Sequence, residues 1–425
     1  MKVLFPYGKG YVELELPPEK TTVLYSSLPK GFDPETTAKL VLESLKSPIE
    51  SPPIHDLVLK ARKVAILITD KTRATPNKLI LEVLLPELEK AGIRRDSIEI
   101  IVATGLHAPH TKQEIEELVG KSIAEQYNVY SHNSDDEKSI ICLGRTSYGT
   151  EVCVNKVVVE VDITIGIGLI EPHFFAGYSG GRKLILPGIS ATKTVYHNHS
   201  YKMIAHPKAD YGILEGNPVH EDMVEGAKMV KSYKFIVHVL IDKEKKVFRV
   251  VSGDPYKALI HGVKELDKYV KVEVLSLADV VIVTNGGYPL DRNLYQAVKG
   301  ITTAARVVKP GGYIILLAEL RDGIGEHKEF ERLMKIGKPE EILNYIREHE
   351  PIRDQWEAQK FAQTLLKSKV IVVTRNISSS TLEHMNLIPA TSAEEALEIA
   401  CRETRCERII AIPEGPYVVP YVKQQ

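Results

Sequence analysis

The segment PHFFAGYSGGRK, at positions 172–183, holds residue types that could bind an anion or carry out acid–base chemistry. Its glycines and serine would let the backbone approach an anion closely, and Arg182 and Lys183 would add positive charge. His173 stands between Pro172 and two phenylalanines, a pattern that predicts a constrained, partly desolvated imidazole able to titrate near neutrality. The segment is therefore either a phosphate or nucleotide site or a tight turn that carries two solvated cations.

Two histidines follow in the segment TKTVYHNHSYKMIAH. His197 and His199 are two positions apart, so they share a face if this stretch is extended, and either could bind a metal ion. The segment has no His-x-x-x-His or Glu-x-x-His helical pair. That absence argues against a zinc site built from protein ligands alone.

Polar loops follow two predicted strands at TDKTRATP (69–76) and GLHAPH (105–110). Each loop precedes a stretch with helical spacing, and this repeated unit predicts a parallel sheet whose loops form a ligand crevice. Asp70 and Arg73 form either a local ion pair or a site for a ligand hydroxyl or carboxylate. His107 adds an imidazole at the corresponding point of the next unit.

A second group of polar residues lies in TNGGYPLDRNLYQAVKG (284–300). Gln296 and Lys299 are three positions apart and share a helix face, so together they could bind a carboxylate, although Lys299 alone is typical of a solvated helix charge. Tyr295 begins the same helix. Trp356, the only tryptophan, lies in the charged helix RDQWEAQK and either covers an apolar substrate group or packs in the interior.

The alternation of β-branched runs with helical spacing predicts an α/β fold with two domains. Each domain is expected to have a mainly parallel sheet flanked by helices, with the active site in the interdomain cleft. We place the boundary near residue 270, with a cofactor-binding domain at 1–270 and a substrate-side α/β domain at 271–425. The first residues alternate apolar and polar types around Gly8 and Gly10, which predicts a hairpin and not a signal peptide.

Composition excludes several classes of protein. The chain has 55 lysines and arginines against 56 acidic residues, so no overall field favours nucleic acid or an anionic membrane. Apolar runs such as 157–170 carry acids and fall short of the ~20 residues of a membrane-spanning helix. The four cysteines lack metal-site spacing, so we expect reduced thiols and a cytoplasmic protein.

Taken together, TDKTRATP, ATGLHAPH, EPHFFAGYSGGRKLILPG, HNHS and GGYPLDRNLYQAVKG resemble the nickel-pincer lactate racemase family, in matching order and over nearly the whole chain. The resemblance implies a cofactor, Ni(II)-pyridinium-3,5-bisthiocarboxylate mononucleotide, attached covalently through a thioamide at Lys183. His199 stands at the position that completes the nickel coordination. A soft, square-planar Ni(II) suits sulfur and carbon donors with one imidazole.

The resemblance also implies roles for residues around the cofactor. His107 and His173 match the two acid–base histidines. The segment that matches the cofactor-binding residues is Asp70, Lys71, Thr72 and Arg73. The matches to the substrate-binding group are Arg73, which thus has both roles, Tyr295, Gln296, Lys299 and Trp356.

The implied reaction is inversion of a small 2-hydroxy acid, with D- and L-lactate as the first candidates. The α-hydrogen of such an acid is a very weak acid, so its transfer as hydride to an organic cofactor is favoured over its removal as a proton. One histidine takes the hydroxyl proton and the other returns it after the 2-oxo acid intermediate rotates. Two bases on opposite sides are therefore needed.

Three alternatives remain open. The substrate could be another 2-hydroxy acid, such as malate, an aryl lactate or a sugar acid. A non-catalytic nickel-cofactor carrier would need Lys183 and His199 but neither His107 nor His173. A nicotinamide dehydrogenase would need a strand followed by G-x-G-x-x-G, which the sequence lacks. The expected partners are the small-molecule substrate and the cofactor-synthesis enzymes, with no nucleic acid and no membrane.

Overall fold

A computed structural model describes residues 1–423. The chain divides into two compact units. The first unit comprises Leu28–His199 and Lys208–Lys268, and the second comprises Met1–Ser27, Ser200–Pro207 and residues 269–423.

The strands within the described residues are, in chain order, β1 (Lys2–Tyr7), β2 (Gly10–Glu15), β3 (Thr21–Val23), β4 (Val64–Thr69), β5 (Ile98–Ala103), β6 (Asn128–Ser131), β7 (Ile140–Arg145), β8 (Glu151–Asn155), β9 (Ile163–Leu169), β10 (Pro172–His173), β11 (Gly177–Tyr178), β12 (Tyr233–Ile241), β13 (Val247–Gly253), β14 (Lys271–Val274), β15 (Ala278–Thr284), β16 (Val308–Leu317), β17 (Lys369–Val373), β18 (Ile388–Ala390), β19 (Ile409–Ile412) and β20 (Val419–Val422).

The helices are α1 (Pro34–Lys46), α2 (Ile54–Val58), α3 (Asn77–Lys90), α4 (Lys112–Val119), α5 (Lys121–Gln126), α6 (Val157–Glu160), α7 (Thr192–Asn198), α8 (Tyr201–Ile204), α9 (Pro218–Met229), α10 (Lys257–Val270), α11 (Leu294–Ala305), α12 (Lys328–Met334), α13 (Pro339–Glu348), α14 (Gln355–Lys367), α15 (Ser379–His384) and α16 (Ala393–Glu403). Short 3-10 turns lie at Arg95–Ser97, Glu137–Ser139, Gly181–Leu184 and Gly415–Tyr417.

The first unit is built around a six-stranded sheet in the order β13-β12-β9-β4-β5-β6. All neighbouring strands run parallel except β12 and β13, which form an antiparallel hairpin. The central strand β4, VAILIT, is buried along nearly its whole length, as expected for a parallel strand covered on both faces. Because β9, β4 and β5 are adjacent and parallel, the loops after them leave the same edge of the sheet.

The second unit has a fully parallel six-stranded sheet in the order β18-β17-β16-β15-β19-β3. Helix α11 follows β15 at the carboxyl edge and buries one face beside the sheet. The predicted α/β fold, with two domains of mainly parallel sheets and flanking helices, is confirmed. The N-terminal hairpin is also confirmed, since β1 and β2 pair antiparallel with Tyr7 opposite Gly10.

The compact units differ from the predicted division at 1–270 and 271–425. The change of unit between Lys268 and Tyr269 lies beside the predicted boundary, but residues 1–27 and 200–207 belong to the second unit. Strand β3 explains the first difference because it pairs with β19 as the edge of the second sheet.

The expectation of reduced thiols is wrong for this structure, in which the described cysteines form two disulfides. The antiparallel pairing of β7 with β8 sets Cys142 opposite Cys153, with a Cα–Cα distance of 3.9 Å. Cys401 lies near the end of α16 and Cys406 in the loop after it, with a Cα–Cα distance of 5.1 Å. Spacing alone did not reveal either contact.

Among the helices of residues 1–423, none combines the length and the apolar character that crossing a bilayer requires.

Candidate active site

The loop after β4 and the loop after β5 meet in an aspartate–histidine pair. Asp70 is 4% exposed, and its Oδ2 lies 2.5 Å from Nδ1 of His107. Burial alone would raise the pKa of Asp70, but the hydrogen bond and charge of His107, together with the charge of Arg73, hold that pKa below its ordinary value. Asp70 is therefore an ionised acceptor. Since Nδ1 of His107 faces it, the Nε2 atom is left to exchange a proton with a ligand.

The remaining residues of the 70–73 segment differ in what their side chains do. Thr72 donates its backbone N–H and its hydroxyl to Oδ1 of Asp70, at 3.1 and 2.6 Å. Lys71 forms an ion pair with Glu114 on α4. Arg73 lies 3.4 Å from Glu171, which follows β9. Thr72 therefore fixes Asp70, and Arg73 joins two loops at the same sheet edge.

His173 begins a short hairpin after β9. Its Nδ1 accepts the backbone N–H of Ala176 at 3.3 Å, so a neutral His173 carries its proton on Nε2. That Nε2 lies 3.3 Å from Nζ of Lys183. Phe174 and Phe175 pack on the imidazole with ring centroids 5.1 and 4.5 Å away. The predicted constrained imidazole is thus present beside Lys183.

Contacts made by Gly180 and Arg182 fix the glycine-rich loop that carries Lys183. Gly180 has φ +80, and a Cβ there would lie 2.7 Å from the His238 ring, so this position requires glycine. Arg182 is 3% exposed and donates to the carbonyls of Ser179, Gly180 and Ala176. The guanidinium is therefore committed to the loop, which differs from the expectation that Arg182 would attract an anion.

His197 and His199 do not share an extended face. Residues 192–198 form helix α7, with His199 at its C-terminal end. Asn198 donates to the buried Asp222 at 2.6 Å, and Thr150 bonds both Asp222 and Nδ1 of His197, each at 2.7 Å. This network fixes the end of α7, directly before His199.

Lys183 and His199 lie against the same aromatic ring. Nζ of Lys183 is 5.5 Å from the centroid of Phe175, and the His199 ring meets that ring edge-on at 5.0 Å. Burial, followed by the charges of Arg182 and Arg73, holds the pKa of Lys183 well below its ordinary value. Burial and the charge of Lys183 likewise lower the pKa of His199. Both shifts favour the neutral forms, a nucleophilic amine and an uncharged imidazole.

The state of the Lys183 amine can be tested in the protein without any ligand. We expect acylation of Lys183 by a small anhydride to reach its half-maximal rate at a lower pH than acylation of Lys2, whose pKa is raised by its bond to Glu13. Peptide mass spectrometry over a pH series compares the two midpoints, which do not depend on absolute accessibility. Equal midpoints would contradict a lowered pKa of Lys183.

In the second unit, the predicted substrate-side residues gather at the N-terminal turns of α11 and α14. Nζ of Lys299 donates to Oε1 of Gln296 at 3.0 Å, so the two share a helix face as predicted. This bond leaves the amide N–H groups of Gln296 available as donors. Trp356 is the second residue of α14.

Sequence reasoning missed three residues of this group. Asp354 bonds the Tyr295 hydroxyl at 2.9 Å, and His327 bonds the other oxygen of Asp354 at 2.9 Å. Glu357 is 2% exposed, and its Oε1 has no hydrogen-bond partner among the described residues. A charged residue beside a tryptophan in RDQWEAQK resembled a solvated helix face, so only the fold reveals that Glu357 is buried.

Glu357 should make stability depend on pH. Burial, opposed by the charge of Lys299, holds the pKa of Glu357 above its ordinary value. Its stabilising contribution is therefore full at low pH and is lost as pH rises through the folded-state pKa. We expect Glu357→Gln to gain at least about 1 kcal/mol of stability relative to wild type between about pH 5 and about pH 8.

Urea unfolding at the two pH values measures this gain. Glu348→Gln, at an exposed glutamate of α13, is the matched control and should shift stability by less than about 0.5 kcal/mol at both. A parallel pH dependence in wild type and Glu357→Gln would show that Glu357 does not titrate as described.

Comparison with known proteins covers both units. Residues 7–212 match the lactate racemase N-terminal domain and residues 274–419 match the lactate racemase C-terminal domain. The chain is 35% identical over 419 residues to the lactate racemase of Thermoanaerobacterium thermosaccharolyticum and 36% identical over 423 residues to that of Lactiplantibacillus plantarum. Each alignment spans 97% of this chain and 98% of the relative.

Solved structures agree. The lactate racemase apoprotein of T. thermosaccharolyticum aligns with a TM-score of 0.93 at 35% identity, over 100% of both chains. A protein from Thermotoga maritima aligns with a TM-score of 0.67 at 17% identity, over 94% of this chain and 100% of that one, which shows a shared fold only. Fold and relatives together define an isomerase of the racemase class. The chain belongs to the lactate racemase family.

Proposed function

We propose that the chain interconverts the enantiomers of a small 2-hydroxy acid, with lactate as the first substrate to test. Its membership of the lactate racemase family supports the reaction class. The observation that carries the proposal is a pair of imidazoles on loops at one edge of the first sheet. His107 and His173 differ in the hydrogen-bonding partners of their Nδ1 atoms.

The two imidazoles have complementary hydrogen bonding. His107 faces Asp70 through Nδ1 and can take a proton at Nε2, whereas neutral His173 carries a proton on Nε2. Inversion requires one group that removes the hydroxyl proton and another that returns it to the opposite side. A dehydrogenase of one handedness needs a single such group, so the pair favours a racemase.

The residues around Lys183 fit a covalently held nickel pincer nucleotide. A thioamide forms from an uncharged amine, which burial of Lys183 favours, and nickel needs the neutral imidazole that burial of His199 favours. We therefore assign the tether to Lys183 and the protein ligand to His199, with Asp70, Lys71, Thr72 and Arg73 as the cofactor-side segment. When bound, this group supplies an electrophilic carbon that accepts and returns hydride.

For the substrate, we propose that donors bind the carboxylate. Lys299 and the amide of Gln296 offer such donors on one helix face. For Arg73, the guanidinium is the proposed donor. Tyr295 and Trp356 complete the substrate-side group.

The cofactor-synthesis enzymes are the proposed maturation partners. Cytoplasm is the proposed compartment, although the two disulfides remove the argument that was based on reduced thiols.

A screen of enantiopure acids tests the function. Protein produced together with the cofactor-synthesis enzymes is incubated with lactate, malate, phenyl-lactate and gluconate, and the loss of optical purity is followed. Inversion of one acid supports the proposal and selects the substrate. A chain that carries the covalent increment on Lys183 but inverts none of them would instead be a cofactor carrier.

A further inference from the structure

Three helices of the second unit begin at one compact polar cluster. Tyr295 is in the first turn of α11, His327 precedes α12, and Asp354 precedes α14. The rings of Tyr295 and His327 stack with centroids 3.4 Å apart and planes 4° apart. Asp354 accepts from both, through Oδ1 and Oδ2 respectively, at 2.9 Å each. Side-chain exposure is 15% for Asp354 and 30% for His327.

Asp354 does not serve the helix that it begins. An aspartate at this position ordinarily accepts a backbone N–H of the first helical turn. Within the described residues, Asp354 makes no such bond to α14 and instead turns both oxygens to Tyr295 and His327. Its backbone is also left-handed, with φ +64, a conformation that costs energy for a residue other than glycine. The local structure therefore forgoes helix capping in favour of the cluster.

The cluster fixes the hydrogen-bonding direction of Tyr295. A phenol has one proton, and that of Tyr295 is donated to Asp354. Trp356 is the second residue of α14, two positions after Asp354, so the bonds of Asp354 to Tyr295 and His327 also fix the start of the helix that carries Trp356. While these bonds hold, Tyr295 has no proton to offer a substrate carboxylate.

We propose that Asp354 and His327 are positioning residues that take up the Tyr295 proton and anchor the start of α14, so that Tyr295 acts on the substrate by holding Trp356 in place and not by donating a hydrogen bond. This refines the substrate-side role of Tyr295 and rests on the proposed function only in its kinetic consequence. The geometry of the cluster itself can be tested in the chain without cofactor or substrate.

Trp356 is the only tryptophan, so its fluorescence reports directly on the cluster. We expect Tyr295→Phe, Asp354→Asn and His327→Ala to change the Trp356 emission in the same direction. His327→Asn, which keeps an N–H near the Nδ1 position, should restore wild-type emission. Asn tolerates the left-handed backbone of position 354, and Phe keeps the ring stack, so these variants should fold.

A second stacked pair supplies the control. The rings of Tyr345 and His349 lie 3.9 Å apart, and His349 bonds the Tyr345 carbonyl, with no carboxylate between the two. His349→Ala should leave Trp356 emission and turnover at the wild-type level. Far-UV circular dichroism and thermal unfolding of every variant verify the fold.

Kinetics of the loaded enzyme separate positioning from direct binding. We expect Asp354→Asn and Tyr295→Phe each to raise KM about tenfold and to change kcat by less than about threefold, because both displace Trp356. A raised KM in Tyr295→Phe with wild-type KM in Asp354→Asn would mean that Tyr295 donates to the substrate, which overturns the proposal. Wild-type emission in both Asp354→Asn and His327→Ala would also overturn it. If wild type inverts no 2-hydroxy acid, the proposed function fails, while the emission series still decides whether the cluster holds Trp356.

Discussion

Lys183→Arg is expected to abolish the covalent mass increment and to lower racemisation about 10³-fold or more, a loss of about 4 kcal/mol of transition-state stabilisation. The guanidinium stays protonated and cannot form a thioamide, whereas the lowered pKa of the Lys183 amine favours its reactive, uncharged form. Intact-mass spectrometry of protein made together with the cofactor-synthesis enzymes measures the increment, and chiral chromatography measures the activity.

Two further variants make the Lys183 result interpretable. Lys183→Met removes the amine without adding bulk, so it should lose the increment and activity while its thermal unfolding stays close to wild type. Lys193→Arg replaces an exposed lysine that pairs with Glu151 and should retain both properties. An active wild-type enzyme with an unmodified chain, or an increment that persists in Lys183→Arg, would place the tether elsewhere.

His107→Ala and His173→Ala are each expected to lower kcat for inversion about 10²–10⁴-fold, the range of general acid–base catalysis. Both variants should keep the covalent increment and nickel, because neither residue is the proposed tether or metal ligand. Asp70→Asn should fall between wild type and His107→Ala, since it leaves the imidazole in place but removes the carboxylate that fixes Nδ1.

His55→Ala is a control for a histidine substitution in the same unit, because His55 is an exposed residue of α2. Its turnover should match wild type. Turnover at the wild-type level in either His107→Ala or His173→Ala would remove the two-base scheme, whereas loss of nickel in either would assign that histidine to the cofactor instead.

Local sequence signals were sufficient to predict the two loops of the first unit that carry Asp70 and His107. The run VAILIT before TDKTRATP and the run before GLHAPH predict strands that end at polar loops, and adjacent parallel strands bring such loops together. The contact between Asp70 and His107 follows from that topology. What the pattern could not indicate is that Lys71 and Thr72 turn to Glu114 and Asp70.

Contacts between residues far apart in the chain could not be predicted from local sequence patterns. Strand β3 adds to the edge of a sheet whose neighbouring strand, β19, lies near the other end of the chain. Asp354 likewise meets Tyr295 across 59 positions and His327 across 27. No local periodicity records such contacts, because they depend on how whole elements pack.

Helix α7 replaces the extended stretch that would have set His197 and His199 on one face. The residues TKTVYHN form this helix although they include three β-branched side chains. Asp222 on α9 instead accepts from Asn198 and Thr150 and fixes the helix end. As a result, His199 lies at the C-terminal end of the helix and His197 belongs to this network.

The most direct test of inversion by hydride transfer uses L-lactate labelled with deuterium at C2. It is incubated in ordinary water with the enzyme that carries the covalent increment on Lys183. Chiral chromatography with mass detection follows the D-lactate formed. We expect D-lactate that retains the deuterium, because hydrogen leaves and returns as hydride while His107 and His173 move only the hydroxyl proton. Absence of D-lactate, or D-lactate whose deuterium has been replaced by hydrogen from water, would contradict inversion by hydride transfer.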